Sequence, residues 1–277
     1  MFYTSEALSA FGDRPALLAG GGAMSYAELA AASSRFASRL PRNRGLVAIE
    51  MTPNATTVAA YLGALQAGHA VMPLPAGEGA VGQGLVARFR PVASWCRVGG
   101  RFRMHHHENA PALHPDLGLL LMTSGSTGQG RGVRLSMGAV MANAASIANY
   151  LAIGQHDRAA LVLPLHYSYG LSVLHSHLLQ GASLWLSAGT ILDPDFVPHL
   201  DEAGATSLAG VPHHFRLLET ALAGRALPPR LTCMTVAGGA MPAAGVSAWA
   251  GRMQDRRGRF VVMYGQTEAT ARIAYLP

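Results

Sequence analysis

The sequence has few cysteines and lacks long uninterrupted apolar runs. Cys96 and Cys233 are the only cysteines in 277 residues, and they lie far apart. This spacing excludes a small disulfide-stapled domain and fits a reducing compartment. No run of about 18 apolar residues occurs, so no membrane span is predicted. Because the N-terminal segment also lacks a basic start and an apolar centre, no signal peptide is predicted, and we expect a cytoplasmic protein.

Charged residues are scarce as well, at 13%, whereas hydrophobic residues make up 50%. That composition is typical of a globular chain and excludes intrinsic disorder. The formal net charge of +6 comes from scattered bases. The densest basic run, at 252–259, contains an acid and is interpreted as a solvated surface turn, so no nucleic-acid partner is predicted. A mild positive excess is compatible with anionic small ligands.

Short apolar runs with strand character alternate with helical patterns along most of the chain. This order predicts an α/β fold with two adjoining lobes of mostly parallel sheet flanked by helices. Ser25 and Glu28 predict a capping box at a helix start, and the glycines at 20–22 indicate a hairpin turn before it. The predicted strands lie at 46–51, 70–72, 118–122, 160–163, 183–186, 206–209, 231–236 and 259–263.

Residues 101–116 show little periodicity and contain two prolines, which indicates a linker. We therefore predict a first lobe at residues 1–104, a linker at 105–117 and a second lobe at 118–277. His105, His106 and His107 fall in this segment. A metal site is one interpretation, but consecutive residues do not share one face, and a solvated loop is favoured.

A loop rich in hydroxyls and glycine follows the predicted strand at 118–122. Successive backbone N–H groups in such a loop can face one concavity and bind phosphate. A flexible solvated turn is the alternative, but the strand before the loop and the helical pattern after it argue against that. The loop consists of Thr123, Ser124, Gly125, Ser126, Thr127 and Gly128, and Arg131 follows it.

Two other glycine patterns predict different nucleotide sites, and neither fits. The loop is not the P-loop of kinases and ATPases, because Arg131 and Gly132 stand where that motif requires Lys and Ser or Thr. Residues 77–82 fit GxGxxG. However, Pro73 and Pro75 separate these glycines from the preceding strand, and no acid follows at the spacing that ribose binding requires.

Five segments carry a family resemblance. The loop matches the pattern TSG[ST]TGxPKGV, with Gly130 in place of Pro and Arg131 in place of Lys. In the same order as in the family, residues 63–74 resemble LxAGxxxxPL, 163–171 resemble PLxHxxG, 236–242 resemble the GGAP loop, and 264–270 match YGxTE. The chain thus resembles the acyl-adenylate-forming (AMP-binding) enzymes, which include acyl-CoA synthetases, aryl-acid ligases and the adenylation domains of peptide synthetases. The resemblance spans nearly the whole chain and implies the N-terminal portion of that fold.

The resemblance also implies an activity and the residues for it. ATP would activate a carboxylic acid as an acyl-adenylate, for transfer to the thiol of CoA or of a carrier-protein phosphopantetheine. Catalytic roles fall on Arg131, Tyr167, Thr267 and Glu268, and Glu268 would hold Mg²⁺. The implied acid pocket contains His166, Tyr169, Gly170 and Val211. The implied nucleotide-binding residues are Thr123, Ser124, Gly125, Ser126, Thr127, Gly128, Gly238, Gly239, Ala240, Tyr264, Gly265, Gln266 and Thr267.

Two of these assignments stay open. Aligned on Pro164 and Gly170, the family histidine falls on Tyr167, while His166 lies one residue earlier, so both are candidates to reach the reacting carboxylate. Glu268 has a simpler interpretation as an acid at a helix N-terminus, where the helix dipole favours it. Both interpretations of Glu268 can hold together.

The resemblance also bears on the class of acid. Adenylation domains for amino acids place an aspartate where Ser168 stands here, and no carboxylate occurs between Asp157 and Asp193. A buried ammonium without a partner is costly. We therefore expect a fatty or aryl acid and not an α-amino acid.

Family members continue after the YGxTE motif into a ribose-binding aspartate, a hinge and a small C-terminal domain, whereas the sequence given ends at Pro277. We therefore expect residues 1–277 alone to be poorly active. The alternative is a non-catalytic nucleotide- or acyl-binding module on the same fold.

Overall fold

The computed structural model describes residues 1–20, 22–77, 80–123, 131–187 and 189–276. Of the predicted phosphate loop, Ser124, Gly125, Ser126, Thr127 and Gly128 lie outside the described residues. The strands are β1 (Pro15–Ala19), β2 (Gly22–Ser25), β3 (Leu46–Glu50), β4 (Ala70–Leu74), β5 (Ala93–Val98), β6 (Arg101–His106), β7 (Leu117–Thr123), β8 (Arg131–Ser136), β9 (Arg158–Leu161), β10 (Ser183–Leu186), β11 (Ser207–Gly210), β12 (Cys233–Val236), β13 (Arg259–Tyr264) and β14 (Ala274–Leu276).

The described α-helices lie between most of these strands. They are α1 (Ser5–Ser9), α2 (Tyr26–Ala37), α3 (Ala55–Gln66), α4 (Ala80–Phe89), α5 (Met137–Tyr150), α6 (Ser168–Leu179), α7 (Phe196–Glu202), α8 (Pro212–Leu222) and α9 (Ala243–Gln254). None of the helices in the described ranges is long and apolar enough to cross a lipid bilayer.

The strands form two mostly parallel sheets. The eight-stranded sheet has the order β14-β13-β12-β11-β9-β10-β1-β2, and its two outermost strands are antiparallel to their neighbours. The six-stranded sheet has the order β6-β5-β3-β4-β7-β8, again with an antiparallel strand at each edge. Parallel strands joined through helices place the carboxyl ends of successive strands at the same edge of a sheet, which is where such folds bind ligands.

The two sheets do not divide the chain at residues 105–117. The first hairpin, β1 and β2, joins the eight-stranded sheet by pairing β1 with β10. Conversely, β7 and β8, which follow the predicted linker, complete the six-stranded sheet. Both sheets therefore contain strands from before and after residues 105–117. The predicted division into two lobes that follow one another in sequence does not match the sheets.

The predicted linker is wrong at its start. Residues 101–106 form β6, which pairs with β5 from Val98↔Arg101 to Ala93↔His106. The alternation of Arg and His with Phe and Met fits an edge strand with one face in solvent, and it conceals the strand in a search for apolar runs. The irregular part begins only at His107. The Nε2 atom of His107 lies 2.9 Å from the Ser94 hydroxyl, and His105 and His106 are exposed.

Several helix starts follow directly from local sequence. The predicted capping box of α2 is present: the Glu28 backbone N–H donates to the Ser25 hydroxyl at 3.1 Å, and the Ser25 N–H donates to the Glu28 carboxylate at 2.7 Å. Asn54 caps α3 in the same manner, because its side-chain oxygen accepts from the Thr57 N–H at 2.9 Å. These bonds satisfy N–H groups that a helix leaves without partners at its first turn.

One core cluster joins the two sheets. It contains Val47 and Ile49 of the six-stranded sheet together with Leu17 and Leu184 of the eight-stranded sheet, all fully or almost fully buried. Helices α3 and α6 lie inside this cluster and are apolar on nearly all sides, as expected of helices covered by protein all round. The shared core holds the carboxyl edges of both sheets in one place.

Candidate active site

Residues that follow three strands of the eight-stranded sheet, β9, β12 and β13, converge on one cavity. Pro164 to Tyr169 follow β9, Gly238 follows β12, and Gly265 to Glu268 follow β13. With Thr123 and Arg131 from the β7–β8 edge of the other sheet, they surround a cavity of about 620 Å³. We call this the reaction cavity. Its described lining is Met122, Thr123, Arg131, Pro164, His166, Tyr167, Ser168, Tyr169, Ala237, Gly238, Gly265, Gln266, Thr267, Glu268, Ala271 and Arg272.

The loop after β13 is tightly folded. Residues Thr267–Ala269 form one turn of 3₁₀-helix, which buries Thr267 and leaves Glu268 exposed at the cavity. The Thr267 hydroxyl lies 3.2 Å from the Ser168 hydroxyl at the start of α6. Thr270 and Ala271 then adopt positive φ angles of 56° and 89°, a conformation that costs non-glycine residues about 1–3 kcal/mol each. Strained backbone of this kind persists only where the surrounding contacts hold it, and it is concentrated at functional sites.

His166 lines the reaction cavity and has a ring nitrogen without a hydrogen-bond partner among the described residues. This nitrogen, Nδ1, is buried. Burial lowers the pKa of His166, so the ring is neutral near pH 7. A neutral imidazole can donate from one ring nitrogen and accept at the other. His166 is therefore suited to a hydrogen bond with a ligand.

Tyr167 reaches the cavity because the facing backbone position is a glycine. A Cβ atom at Gly238 would lie 2.9 Å from the Tyr167 hydroxyl and 3.1 Å from a Val211 methyl carbon. Gly238 also has a φ of +79°, which side chains disfavour. The glycine thus brings the loop after β12 against the tyrosine, and both residues line the reaction cavity.

The β7–β8 edge brings a cation to the cavity. Thr123 and Arg131 are paired across β7 and β8, and the Thr123 hydroxyl donates to the Arg131 carbonyl at 3.5 Å. Arg131 is exposed and lines the cavity. A guanidinium group stays charged at any physiological pH and matches the geometry of phosphate oxygens.

Some residues that the resemblance assigned to the site lie outside the described lining of the cavity. Tyr264 is 63% exposed at the end of β13, and Gly239 and Ala240 are exposed in the loop after β12. Gly170 is buried in the first turn of α6 against the Pro164 carbonyl, where it serves packing. Val211 packs beside Gly238. Contacts of these residues with a ligand stay predictions.

Arg272 is a site residue that the sequence analysis did not single out. Its guanidinium carbon lies 3.6 Å from the centre of the Tyr169 ring, and its backbone carbonyl accepts from the Asn143 side chain of α5 at 2.9 Å. It follows the YGxTE segment by only a few residues. The one signal available in the sequence was an isolated cation so close to that motif.

The residues present fit a nucleotide with a divalent ion. Arg131 and Arg272 bring fixed positive charge to the cavity, and Glu268 offers an exposed carboxylate. Among the described ranges there is no group of three or more His, Cys, Asp and Glu side chains able to hold a metal alone. This arrangement suits Mg²⁺, which typically binds one or two carboxylates together with substrate phosphates and water.

Comparison with protein families is consistent with this site. Residues 4–81 and 77–277 match the family of AMP-binding enzymes. The match covers nearly the whole chain, and the chain belongs to this family.

Two curated relatives illustrate the range of the family. Syringomycin synthase SyrB1 of Pseudomonas syringae pv. syringae is 26% identical over 301 residues, which cover 98% of this chain and 48% of SyrB1. A 2-succinylbenzoate–CoA ligase of Bacillus velezensis is 31% identical over 170 residues, which cover 58% of this chain and 32% of the ligase. The chain thus spans about half the length of the first relative, at 48%, and about a third of the second, at 32%.

Solved structures share the fold. VinN in complex with L-aspartate has a TM-score of 0.82 at 22% identity, covering 99% of this chain and 78% of VinN. The N-terminal subdomain of Klebsiella oxytoca NpsA in complex with 3-hydroxyanthranilyl-AMSN has a TM-score of 0.80 at 20% identity, covering 99% of this chain and 74% of that one. The predicted α/β architecture with two mostly parallel sheets is confirmed.

Proposed function

We propose that this chain binds ATP and a carboxylic acid in the reaction cavity and joins them as an acyl-adenylate, with release of pyrophosphate. The observation that carries the proposal is that segments far apart in sequence converge on one cavity. Among the described residues, this cavity has cations, hydroxyls and one exposed carboxylate. Membership of the AMP-binding enzyme family supports it.

The chemistry explains the need for these groups. A carboxylate oxygen of the acid bonds to the α-phosphorus, the bond from that phosphorus to the bridging oxygen breaks, and the electron pair leaves with pyrophosphate. Because two anions must meet, fixed positive charge lowers the barrier. Arg131 supplies fixed positive charge at the reaction cavity. Glu268 would hold Mg²⁺, which would supply positive charge to offset the negative charge that develops on the leaving pyrophosphate.

The remaining residues orient the two substrates. Thr267, fixed by the Ser168 hydroxyl and the strained turn behind it, offers a hydroxyl to the α-phosphate. His166 and Tyr167 are the candidates to position the reacting carboxylate. For the adenine we propose Tyr264 and the loop Gly238, Gly239 and Ala240, with Gly265 and Gln266 beside it. For the β- and γ-phosphates we propose Thr123, Ser124, Gly125, Ser126, Thr127 and Gly128.

The acid is proposed to be a fatty or aryl acid. Ser168 stands where an ammonium-binding carboxylate would be needed, and its hydroxyl is already engaged with Thr267. The 2-succinylbenzoate–CoA ligases among the relatives support an aryl acid and a thiol acceptor. The acceptor is proposed to be CoA or the phosphopantetheine of an acyl carrier protein. The reducing cytoplasm, which holds ATP and suits the two free cysteines, is the proposed compartment.

Calorimetric titration tests the nucleotide site. Mg-ATP and a sulfamoyl-adenosine mimic of an acyl-adenylate should bind the wild-type chain, and Glu268→Gln should weaken Mg-ATP binding about tenfold or more by removing a charged metal ligand. Glu108→Gln, an exposed acid in the irregular segment after β6, is the matched control and should bind as wild type. Equal affinity of wild type and Glu268→Gln for Mg-ATP would contradict the assigned role.

The second candidate function is that of a non-catalytic binding module on the same fold. It is favoured because Arg131 replaces the lysine of the TSG[ST]TGxPKGV pattern. The two candidates differ in one measurement. Acid-dependent exchange of labelled pyrophosphate into ATP requires adenylation, whereas a binding module would take up Mg-ATP and show no exchange with any acid.

A further inference from the structure

A second, smaller cavity adjoins the reaction cavity. It measures about 240 Å³ and shares Tyr169 and Arg272 with the reaction cavity. We call it the inner cavity. Its walls come from α5, α6, β11, β12 and β13. Because Tyr169 and Arg272 line both cavities, a ligand in the reaction cavity lies beside two residues of the inner cavity.

The inner cavity is too small and too polar for a long alkyl chain. Its volume lies below the usual range of about 300–1,000 Å³ for pockets that hold drug-sized ligands. Hydroxyl-bearing and charged side chains alternate with apolar ones along its walls, among them Ser172, Ser176, Thr235 and Arg259. An alkyl chain would cover these polar groups without offering hydrogen bonds, which is costly.

Arg272, at the wall between the cavities, lacks a carboxylate partner. Its Nη1 donates to the Ala271 carbonyl at 2.9 Å, and its Nε is buried without a hydrogen-bond partner among the described residues. It forms no ion pair with any carboxylate in the described ranges. Its further contacts, the Tyr169 ring and the Tyr150 hydroxyl, leave the positive charge without a counter-ion.

The one described acid in the inner cavity forms no ion pair with Arg272. Asp157 lines the cavity, but its Oδ2 accepts from the Gly154 N–H at 2.8 Å and its Oδ1 accepts from the Thr206 hydroxyl at 2.9 Å. Arg257 and Arg259 also line the cavity, so described cations outnumber described carboxylates there. The field inside the inner cavity therefore favours a negative group.

We infer that the acid activated here is compact and carries a second carboxylate, which pairs with Arg272. This inference rests on the proposed function and, in place of a fatty or aryl acid, assigns short aliphatic or aryl dicarboxylic acids as its substrate class. One carboxylate reacts at the α-phosphate in the reaction cavity. The other enters the inner cavity and accepts from the Arg272 guanidinium, which then has the charged partner that the described residues do not provide.

The test compares matched probes by calorimetry. The probes are sulfamoyl-adenosine mimics acylated with succinyl, glutaryl or 3-carboxybenzoyl groups, each against the same mimic with a primary amide in place of the free carboxylate. In the wild-type chain at least one carboxylate probe should bind about 10- to 100-fold more tightly than its amide, the range for a charge-assisted hydrogen bond. In Arg272→Gln that ratio should fall to near one.

Controls separate a specific role from general damage. Because the readout is a ratio of two affinities in the same variant, a uniform weakening of the site does not change it. Arg103→Gln, an exposed arginine on β6, should keep the wild-type ratio. Arg272→Lys retains a positive charge and should keep part of the preference. Thermal melts check that each variant is folded.

The possible outcomes distinguish failure of the second-carboxylate inference from failure of the proposed adenylation function. If amide and carboxylate probes bind the wild-type chain equally, or if the preference persists in Arg272→Gln, the second-carboxylate inference is overturned while the adenylate site stands. If neither Mg-ATP nor any probe binds, the proposed function fails and the inference fails with it.

Discussion

Gly265 stands where the chain doubles back toward the cavity. A Cβ atom at this position would lie 1.7 Å from the Ala271 carbonyl oxygen and 2.7 Å from its carbonyl carbon. Both atoms belong to the backbone, so no side-chain rotation could relieve the contact. The glycine thus permits the close return of the loop that carries Thr267, Glu268 and Arg272.

Substitution of this glycine should damage the site more than the fold. We expect Gly265→Ala to displace the loop after β13, lower the free energy of unfolding by about 1–3 kcal/mol through overpacking, and abolish binding of the adenylate mimic. Gly251→Ala is the matched control, because a Cβ there meets nothing within 4 Å inside α9. Chemical denaturation and calorimetry would check both variants. A Gly265→Ala protein with wild-type affinity would refute this account.

The sequence alone predicts the site residues that belong to a motif, but it does not predict Arg272. Thr267 and Glu268 were predicted because they lie within a pattern of fixed spacing, and the structure places both at the reaction cavity. Arg272 becomes informative only through its three-dimensional contacts. Its unpaired charge depends on Tyr169, far away in sequence, and on the engagement of Asp157 by other groups. No local pattern encodes such an arrangement.

At the scale of elements, α6 combines burial with polar side chains. His175 and His177 lie on it with 3% and 4% of their surface exposed. The Nε2 of His175 lies 2.8 Å from the Tyr61 hydroxyl, and the Nδ1 of His177 lies 2.9 Å from the Val173 carbonyl. Burial lowers the pKa of His175 to about 3 and, against weaker opposing contacts, that of His177 to about 4. Both rings are therefore neutral in the folded protein.

This helix should make the protein sensitive to acid. Below the unfolded pKa of about 6.5, the unfolded chain binds protons at both histidines while the folded chain does not. The contribution of the two neutral histidines to the free energy of unfolding is therefore fully present above about pH 6.5. It is lost as the pH falls from about 6.5 toward their pKa values in the folded protein. Each histidine contributes a slope of about 1.4 kcal/mol per pH unit in that window.

Urea titrations between pH 7 and pH 4.5 would measure this slope in the wild type and in His177→Asn. In this variant we expect the slope of the free energy of unfolding against pH to be smaller than in the wild type by about 1.4 kcal/mol per pH unit. His105→Asn, an exposed position on β6, serves as the control and should keep the wild-type slope. An unchanged slope in His177→Asn would show that this ring takes up its proton in the folded state.

Elements also show where sequence patterns stop being informative. Strands covered on both faces, such as β3 and β4, are continuous apolar runs and were predicted at nearly their observed bounds. The edge strand β6 has one face in solvent and was interpreted as a linker. The antiparallel strand β8 (Arg131–Ser136) was not predicted, because its two arginines and its glycine resemble a solvated segment.

At the scale of the whole molecule, the shared core should make the two sheets unfold together. Buried residues of both sheets belong to one cluster, so neither sheet can lose its contacts alone. Trp95 lies in β5 of the six-stranded sheet and Trp185 in β10 of the eight-stranded sheet. Each tryptophan therefore reports on one sheet.

Single-tryptophan variants would test this cooperativity. In one variant Trp185 and Trp249 are replaced by Phe, and in the other Trp95 and Trp249 are replaced. We expect the two fluorescence transitions in urea to coincide with each other and with loss of helical circular dichroism, as two-state unfolding requires. Separate midpoints for the two probes would indicate two independently unfolding lobes, as the sequence division at 105–117 predicts.

The early hairpin has a consequence for how the chain folds as it is made. β1 pairs with β10, and the buried Tyr26 hydroxyl donates to the Ala182 carbonyl, 156 positions further along the chain. A ribosome adding about 5–20 residues per second would need roughly ten seconds or more to reach the partner strand. During that interval the first strands have an unpaired edge and an uncovered apolar face. The newborn chain would then depend on chaperone protection that the finished protein no longer needs.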